Sequence, residues 1–453
     1  MPFEYFGGKA ISLESIQKEI QTIENVEDHS SGLNLTGKRV YYRQTNQEDF
    51  LVIGNSIGFG LEGEVYQTQW PEFLVKIYFP EMRTRVRQNK LKLMVENRIL
   101  DDRLCWPCGL IYSDNSDKRK FLGVLIKYAK GEEISIEEGA TSLSDFFRQD
   151  RRNLLTTLIN VASIFELLEQ NKVVMGDVNF SNFLIDPETY GVTMIDLDGA
   201  QVSKYPCAAC KENFNAPELF KGETDSEASE TSIANQHYHQ RYSTFDRDRF
   251  SLASYLFMMM MCTPPFAAKG ATRVQNLAKC CFGFSLTDET KTLLYRHDDH
   301  SARWSHLPHF VRQAFMISFT TSDPSCRPSP TKWREILECY RRMLDEGYLQ
   351  QFDKDCTVLY DFRGKGLPYS VLEKIEKEMI CTFEGIGFTF HEAIQSLLKA
   401  AEKSIKNLNI DEARLAEDLK WQPIVSLDAK TKVKVLLNVG VLKKLSLKTM
   451  SSF

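Results

Sequence analysis

The chain has 453 residues, 43% of them hydrophobic, and a formal net charge of -5. That length allows a large core and points to two or three domains, while the mild acidic balance argues against a protein devoted as a whole to nucleic acid. Met1-Pro2-Phe3-Glu4 lacks the basic start and apolar run of a signal peptide, and the longest apolar run, Leu252 to Cys262, is too short to span a bilayer. Eleven scattered cysteines, odd in number, argue for reduced thiols in a cytosolic protein.

In chain order, residues 1–45 read as an N-terminal extension. Ile11, Ile16, Ile20 and Ile23 fall at helical spacing, and the segment is expected to pack on the β-rich part that follows. Ile57 to Tyr66 then reads G-x-G-x-x-G-x-V, with Gly58, Gly60, Gly63 and Val65 in the pattern. Glycines let a backbone bend with positive φ and approach phosphate oxygens closely. Rossmann folds share the glycine spacing, but there a helix follows. Here Glu64-Val65-Tyr66-Gln67-Thr68 is strand-like, so a hairpin flap over a nucleotide is expected.

Phe73 to Tyr78 is a strand carrying one lysine, Lys76, among apolar neighbours. A lysine inside a β-run is costly unless its ammonium meets an anion; an edge lysine pointing at water is the bland alternative. Glu81 to Arg103 reads as a charged amphipathic helix with Leu91, Met94 and Val95 on one face, and for Glu96 in it an ion pair with Lys76 is preferred over a surface i,i+4 partner. Two C-x-x-C pairs, Cys105-Trp106-Pro107-Cys108 and Cys207-Ala208-Ala209-Cys210, offer four thiolates for zinc. They lie about a hundred residues apart, so plain packing is preferred. His237-x-His239 and His297 to His300 read as surface loops. Gly123 to Ile126 looks like a further strand, and Arg151 to Gln170 has a clean helical stripe.

That helix leads into Val174 to Gly199, where Asp177, Asn182 and Asp196 can hold metal or move a proton. Phe183-Leu184-Ile185 and Val192-Thr193-Met194-Ile195 look like a tight hairpin turning at Asp186 to Thr189. Such a hairpin returns Asp196 beside Asn182. Two carboxylates and an amide oxygen on one edge suit hard Mg²⁺, which prefers oxygen ligands and keeps phosphates as partners.

The D-x-x-x-x-N of Asp177 to Asn182, followed by a strand and the Asp196 turn, resembles the catalytic loop and metal-binding turn of protein kinases. Ala216-Pro217-Glu218, Asp248 and Arg327 fall where that family has its A-P-E anchor, loop-holding aspartate and buried arginine. The resemblance covers about residues 50–345. It implies an α+β, bilobal protein-kinase-like fold: a small β-rich N-lobe at 46–130 and a larger helical C-lobe at 131–345. It also implies that Gly58, Gly60, Gly63 and Val65 cover ATP and that Ile126 and Tyr128 line the adenine pocket and hinge. Lys76, held by Glu96, reaches the phosphates, Asp177 acts as catalytic aspartate, and Asn182 and Asp196 hold Mg²⁺, with Mn²⁺ as a substitute. Glu218 pairs with Arg327, and Asp248 binds the catalytic-loop backbone.

Departures accompany the match. Met175-Gly176 replaces the usual His-Arg, which removes the docking site for an activation-loop phosphate, so activity independent of that modification is expected. Asn179 replaces a lysine that steadies the terminal phosphate. Asp198 stands where the Asp-Phe-Gly turn has glycine and is either a second metal ligand or a cap of the turn. With Gln201 and Trp106-Pro107, these features resemble the bacterial helix-hairpin-helix Ser/Thr kinases that accompany tellurite-resistance-type von Willebrand and phosphatase proteins. A protein substrate, autophosphorylation and a partner of either type follow from that resemblance. A non-catalytic nucleotide-binding scaffold and a small-molecule kinase are the alternatives.

Residues 221–240 read as a flexible polar insertion, and the helix after Asp248 is apolar all round, hence buried. Residues 346–453 read as an additional mostly helical region, with one stripe from Phe390 to Ile405. Gly385-Ile386-Gly387 resembles the hairpin of a DNA-binding helix-hairpin-helix and the tail after Ala429 is lysine-rich; a helical interaction domain is the preferred reading.

Overall fold

A computed structural model describes residues 2–11, 35–44, 48–116, 119–207, 210–221, 229–238, 241–268, 270–286, 298–347, 349–351 and 356–359. Beyond these it describes the strand stretches 382–387, 425–427 and 433–438, with Gln395 and Lys399. The chain is α+β. Six strands close a barrel: β1 (Arg39–Arg43), β2 (Glu48–Phe59), β3 (Gly63–Thr68), β4 (Phe73–Tyr78), β5 (Gly109–Tyr112) and β6 (Phe121–Lys127), in the order β1-β2-β3-β4-β6-β5. Alternation decides which side chains fill it. Val75 and Ile77 of β4 join Val40, Leu51, Ile53, Tyr66 and Leu125 in one core, so Lys76 and Tyr78 point out of the barrel. The first helix, α1, spans Arg85–Glu96 between β4 and β5, capped by Thr84, whose hydroxyl accepts from the Arg87 N–H. It is shorter than the expected 81–103 span because Asn97 leaves helical geometry and bonds back to the Leu93 carbonyl.

The remaining helices form the second, larger core. They are α2 (Gly139–Phe146), α3 (Arg151–Gln170), α4 (Glu230–Tyr238), α5 (Phe245–Met261), α6 (Arg273–Ala278), α7 (Asp298–His306), α8 (His309–Thr320) and α9 (Pro330–Asp345). Helix α5 is buried on every face from Phe250 to Met261, as its uniformly apolar sequence requires. Helix α9 lies along α3, where Arg334 pairs with Glu166 at 2.7 Å and Arg341 donates to the Arg152 carbonyl at 2.9 Å. Short strands punctuate the helices: β7 (Glu132–Glu133), β8 (Val173–Val174), β9 (Phe183–Ile185), β10 (Val192–Met194) and β11 (Gln201–Val202). Strands β9 and β10 pair antiparallel as the expected hairpin.

Five expectations need correction. Arg39–Arg43, inside the presumed extension, is a barrel strand. Pro2–Ile11 packs on the helical part as well as on Trp106: the Phe3 N–H donates to Asn171 O at 3.0 Å, and Tyr5 stacks on Phe245. The isoleucine stripe lies outside the described residues. The polar 221–240 stretch contains α4, because buried Glu230 binds Arg273 at 2.7 Å and accepts from Asn215 at 3.0 Å; His237 and His300 fall within α4 and α7 rather than loops. Gly385-Ile386-Gly387 belongs to a strand, β12 (Thr382–Gly387), which with β14 (Val433–Asn438) and β13 (Val425–Leu427) forms a sheet ordered β12-β14-β13. A hairpin between helices is not formed there. The Phe390 to Ile405 stripe falls, apart from Gln395 and Lys399, outside the described residues. No described helix is long and apolar enough to cross a membrane.

Candidate active site

The site is built on the outer face of the barrel. Directly opposite residues of an antiparallel pair share a face, so the pairings Val65↔Lys76 and Lys76↔Val124 place these three side chains together, with Tyr78 and Ile126 two residues along their strands. Val65 and Ile126 are half-buried, and Tyr128 is more exposed, with its N–H held by Glu72 O at 2.8 Å. Close strand approach sets two glycines. A Cβ on Gly123 would lie 1.9 Å from the Lys76 carbonyl, and one on Gly63 would lie 2.3 Å from the Ile77 carbonyl.

The expected flap is a hairpin of β2 and β3, closed by a bond from Gly60 N–H to Gly63 O at 3.0 Å. Its tip is open, with Phe59 70% and Leu61 95% exposed. The anticipated positive φ does not occur at Gly58, Gly60 or Gly63. The nearest atom to a Cβ on Gly58 or Gly60 would be 3.9 or 3.8 Å away, so these two positions are free for close approach by a ligand.

The facing edge comes from the loop after β8. Buried Asp248, near the start of α5, accepts from the Met175 N–H at 2.6 Å and the Gly176 N–H at 3.0 Å. Gly176 has φ +73, and a Cβ there would meet the Cys207 sulfur at 2.7 Å, so glycine is required. Burial pushes the Asp248 carboxyl up to about 7, with the two N–H groups pulling the other way. Asn182 donates to the Asp177 carbonyl at 2.8 Å, and the Ile195 N–H donates to the Asn182 carbonyl at 2.9 Å. The hairpin therefore returns Asp196 to Asn182. Asp196 has left-handed backbone, φ 62, which aspartate tolerates better than most residues. Burial, then Asp196, raises the Asp177 carboxyl, with Lys211 opposing. Asn179 is tied into the loop by Ser181, whose hydroxyl donates to its amide oxygen.

The two halves meet at Lys76. Its Nζ lies 2.5 Å from Asp196 Oδ1 and 3.0 Å from Asp198 Oδ2. Burial draws the ammonium down, but Asp198 and Asp196 together outweigh it and hold it well above the ordinary lysine range. Asp198 is held low despite its burial by Lys76, the Tyr78 hydroxyl and Arg87. Asp196 is raised, by burial first and by Asp198 second. The Asp196 side chain is 52% exposed and that of Asp198 4% exposed. Asp196 and Asn182 carry the carboxylate and amide oxygens that could hold Mg²⁺, a cation that takes oxygen ligands beside phosphates.

Glu96 does not belong here. It is the last residue of α1 and faces Lys92 at 3.9 Å, both side chains exposed, so the expected pair with Lys76 is not formed. Five residues that sequence reasoning passed over stand near the centre instead. Tyr78 donates to Asp198 at 2.6 Å, and Arg87 lies over the Tyr78 ring at 4.6 Å and pairs with Glu62 of the flap at 2.5 Å. Lys90 is buried on α1, and Lys211 acts on Asp177. The i+2 relation of Tyr78 to Lys76 was the available signal.

The cysteine pairs carry packing. Cys105, Cys108 and Cys207 are buried, burial pushes the Cys105 thiol up to about 12, and the described residues contain no cluster of three His, Cys, Asp or Glu able to hold metal. Glu218 and Arg327 form the expected pair at 2.7 Å.

The chain matches no protein-family model. It is 23% identical over 322 residues to "Protein kinase YegI" of Escherichia coli O157:H7, covering 67% of this chain and 46% of that protein. The K12 protein of the same name is 22% identical over 317 residues, covering 66% and 46%. The chain thus spans about half the length of the curated relatives it matches, and the similarity makes it a distant relative of proteins named as kinases.

Proposed function

We propose that this protein is an ATP- and Mg²⁺-dependent phosphotransferase with a bilobal kinase-like architecture, moving the terminal phosphate of ATP to a Ser or Thr hydroxyl of a protein. The observation carrying this reading is the contact of Lys76 with Asp196 across 120 residues, between the flap-bearing barrel and the Asp177–Asn182 loop. Lys76 binds phosphate oxygens, and the flap near Gly58 and Gly60 approaches them closely. Asp196 and Asn182 would hold Mg²⁺, which supplies neutralisation of phosphate charge. Asp177 orients the acceptor hydroxyl and takes its proton as the oxygen bonds phosphorus and the bond to the ADP oxygen breaks. Its raised pKa suits that role. Catalysis here rests on positioning and electrostatics. A phosphatase or von Willebrand-type partner belongs to the same proposal.

Incubation with labelled ATP and Mg²⁺, with site mapping by mass spectrometry, tests it. Phosphoserine or phosphothreonine is expected in the wild type. Asp177→Asn should lose transfer by roughly 10²–10⁴-fold and still bind nucleotide. Full activity in that variant removes the assignment. The fixed, uncharged Asn179 favours one rival, the non-catalytic scaffold, which predicts Mg²⁺-nucleotide binding without any transfer.

A further inference from the structure

Resting on the phosphotransferase reading, we propose that Asp198, steadied by Tyr78, is the positioning residue for Lys76, in place of a carboxylate from α1. Both oxygens of Asp198 face the lysine: Nζ donates to Oδ1 at 3.1 Å and to Oδ2 at 3.0 Å. The Tyr78 hydroxyl adds a 2.6 Å bond to Oδ2. Lysine and aspartate side chains are 9% and 4% exposed. A charge pair so enclosed has a narrow range of geometries, because any departure leaves a buried ion unpartnered.

Helix α1 cannot do this work. Glu96 is its single carboxylate, at its last position and on its outside. The helix instead presents cations toward the centre: Arg87 over the Tyr78 ring, and buried Lys90. These complement Asp198 and would repel Lys76. The charge arrangement is inverted, with the carboxylate supplied by the turn and the cations by the helix. Lys76 is therefore positioned by the same short turn that carries Asp196, with no carboxylate of α1 in contact with it. Asp198 is also a poor second metal ligand, since both oxygens are engaged and enclosed, whereas Asp196 is half exposed.

The test uses the full chain and the variants Asp198→Asn, Asp198→Ala, Tyr78→Phe and Glu96→Gln. Initial rates of autophosphorylation are measured against ATP at fixed Mg²⁺ and against Mg²⁺ at fixed ATP. Binding of a Mg²⁺ complex of a non-hydrolysable ATP analogue is measured separately, and melting temperature reports the fold. Expected are a fall in kcat of about tenfold for Asp198→Asn and about a hundredfold for Asp198→Ala, with analogue binding within about fivefold of wild type. Tyr78→Phe, which keeps the ring, should lose about threefold to tenfold and covers the case in which Asp198→Ala does not fold. Glu96→Gln should stay within about twofold. Loss in Glu96→Gln with normal Asp198 variants overturns the inference and leaves the phosphotransferase reading standing. So does a rise of tenfold or more in the Mg²⁺ needed by Asp198→Asn, which would make Asp198 a metal ligand. A wild type that neither binds the analogue nor transfers phosphate overturns both.

Discussion

Arg327 and Glu218 join the turn at Pro217–Leu219 to the start of α5 and the turn at Pro324–Cys326. Two guanidinium nitrogens meet the two carboxylate oxygens at 2.9 and 2.7 Å, and the same guanidinium donates to Asp246 O at 2.9 Å and Ser318 O at 3.3 Å. Arg327→Met removes all four bonds and leaves a mostly buried carboxylate without its cation. Removing one member of a buried pair costs roughly 3–5 kcal/mol. At about 2–4 °C per kcal/mol for a unit of this size, the melting temperature should fall by about 6–20 °C. Glu218→Gln should fall less, since shape and some hydrogen bonding survive. The double variant should lie above the sum of the singles by roughly 1–3 kcal/mol. Thermal and urea unfolding measure all four proteins. Arg327 does not touch Lys76, so Mg²⁺-nucleotide binding at low temperature should persist in the folded variants. A drop below about 2 °C for Arg327→Met, or strict additivity of the cycle, would refute the reasoning.

Gly123→Ala should destabilise by roughly 1–3 kcal/mol, because its Cβ overpacks against the Lys76 carbonyl; Gly58→Ala meets nothing closer than 3.9 Å and should leave the urea midpoint unchanged. Asp248→Asn presents a donor to one of two loop N–H groups, so a loss of roughly 1–3 kcal/mol is expected in urea unfolding; unchanged stability would contradict the role of Asp248 in holding the loop. Burial lowers Lys90 from 10.5 to about 8. Between those values the unfolded chain holds the extra proton, so this residue's contribution to stability rises with pH across the window and is a deficit below it. Lys90→Met should be more stable than wild type at pH 7 by up to roughly 3 kcal/mol, with the gap closing by about pH 10.5. Parallel pH profiles for the two proteins would exclude a shifted lysine.

Local pattern carried much of the architecture. The strand Phe73–Tyr78, the helix Arg151–Gln170 and the hairpin around Asp186 follow from periodicity and turn chemistry that lie within a few residues of each other. Lys76 was legible as a buried cation in need of an anion for the same reason. Which anion meets it was not legible, because Glu96, Asp196 and Asp198 all carry the right charge and spacing along the chain says nothing of direction. That choice depends on the rotation of α1, which turns Glu96 to solvent and Lys90 inward, and on the hairpin that carries Asp198 back across 122 residues. Side-chain type and periodicity are properties of short segments. The partner of a buried charge is settled by how distant backbones pack, since enclosure leaves no water to take the place of a missing counter-ion.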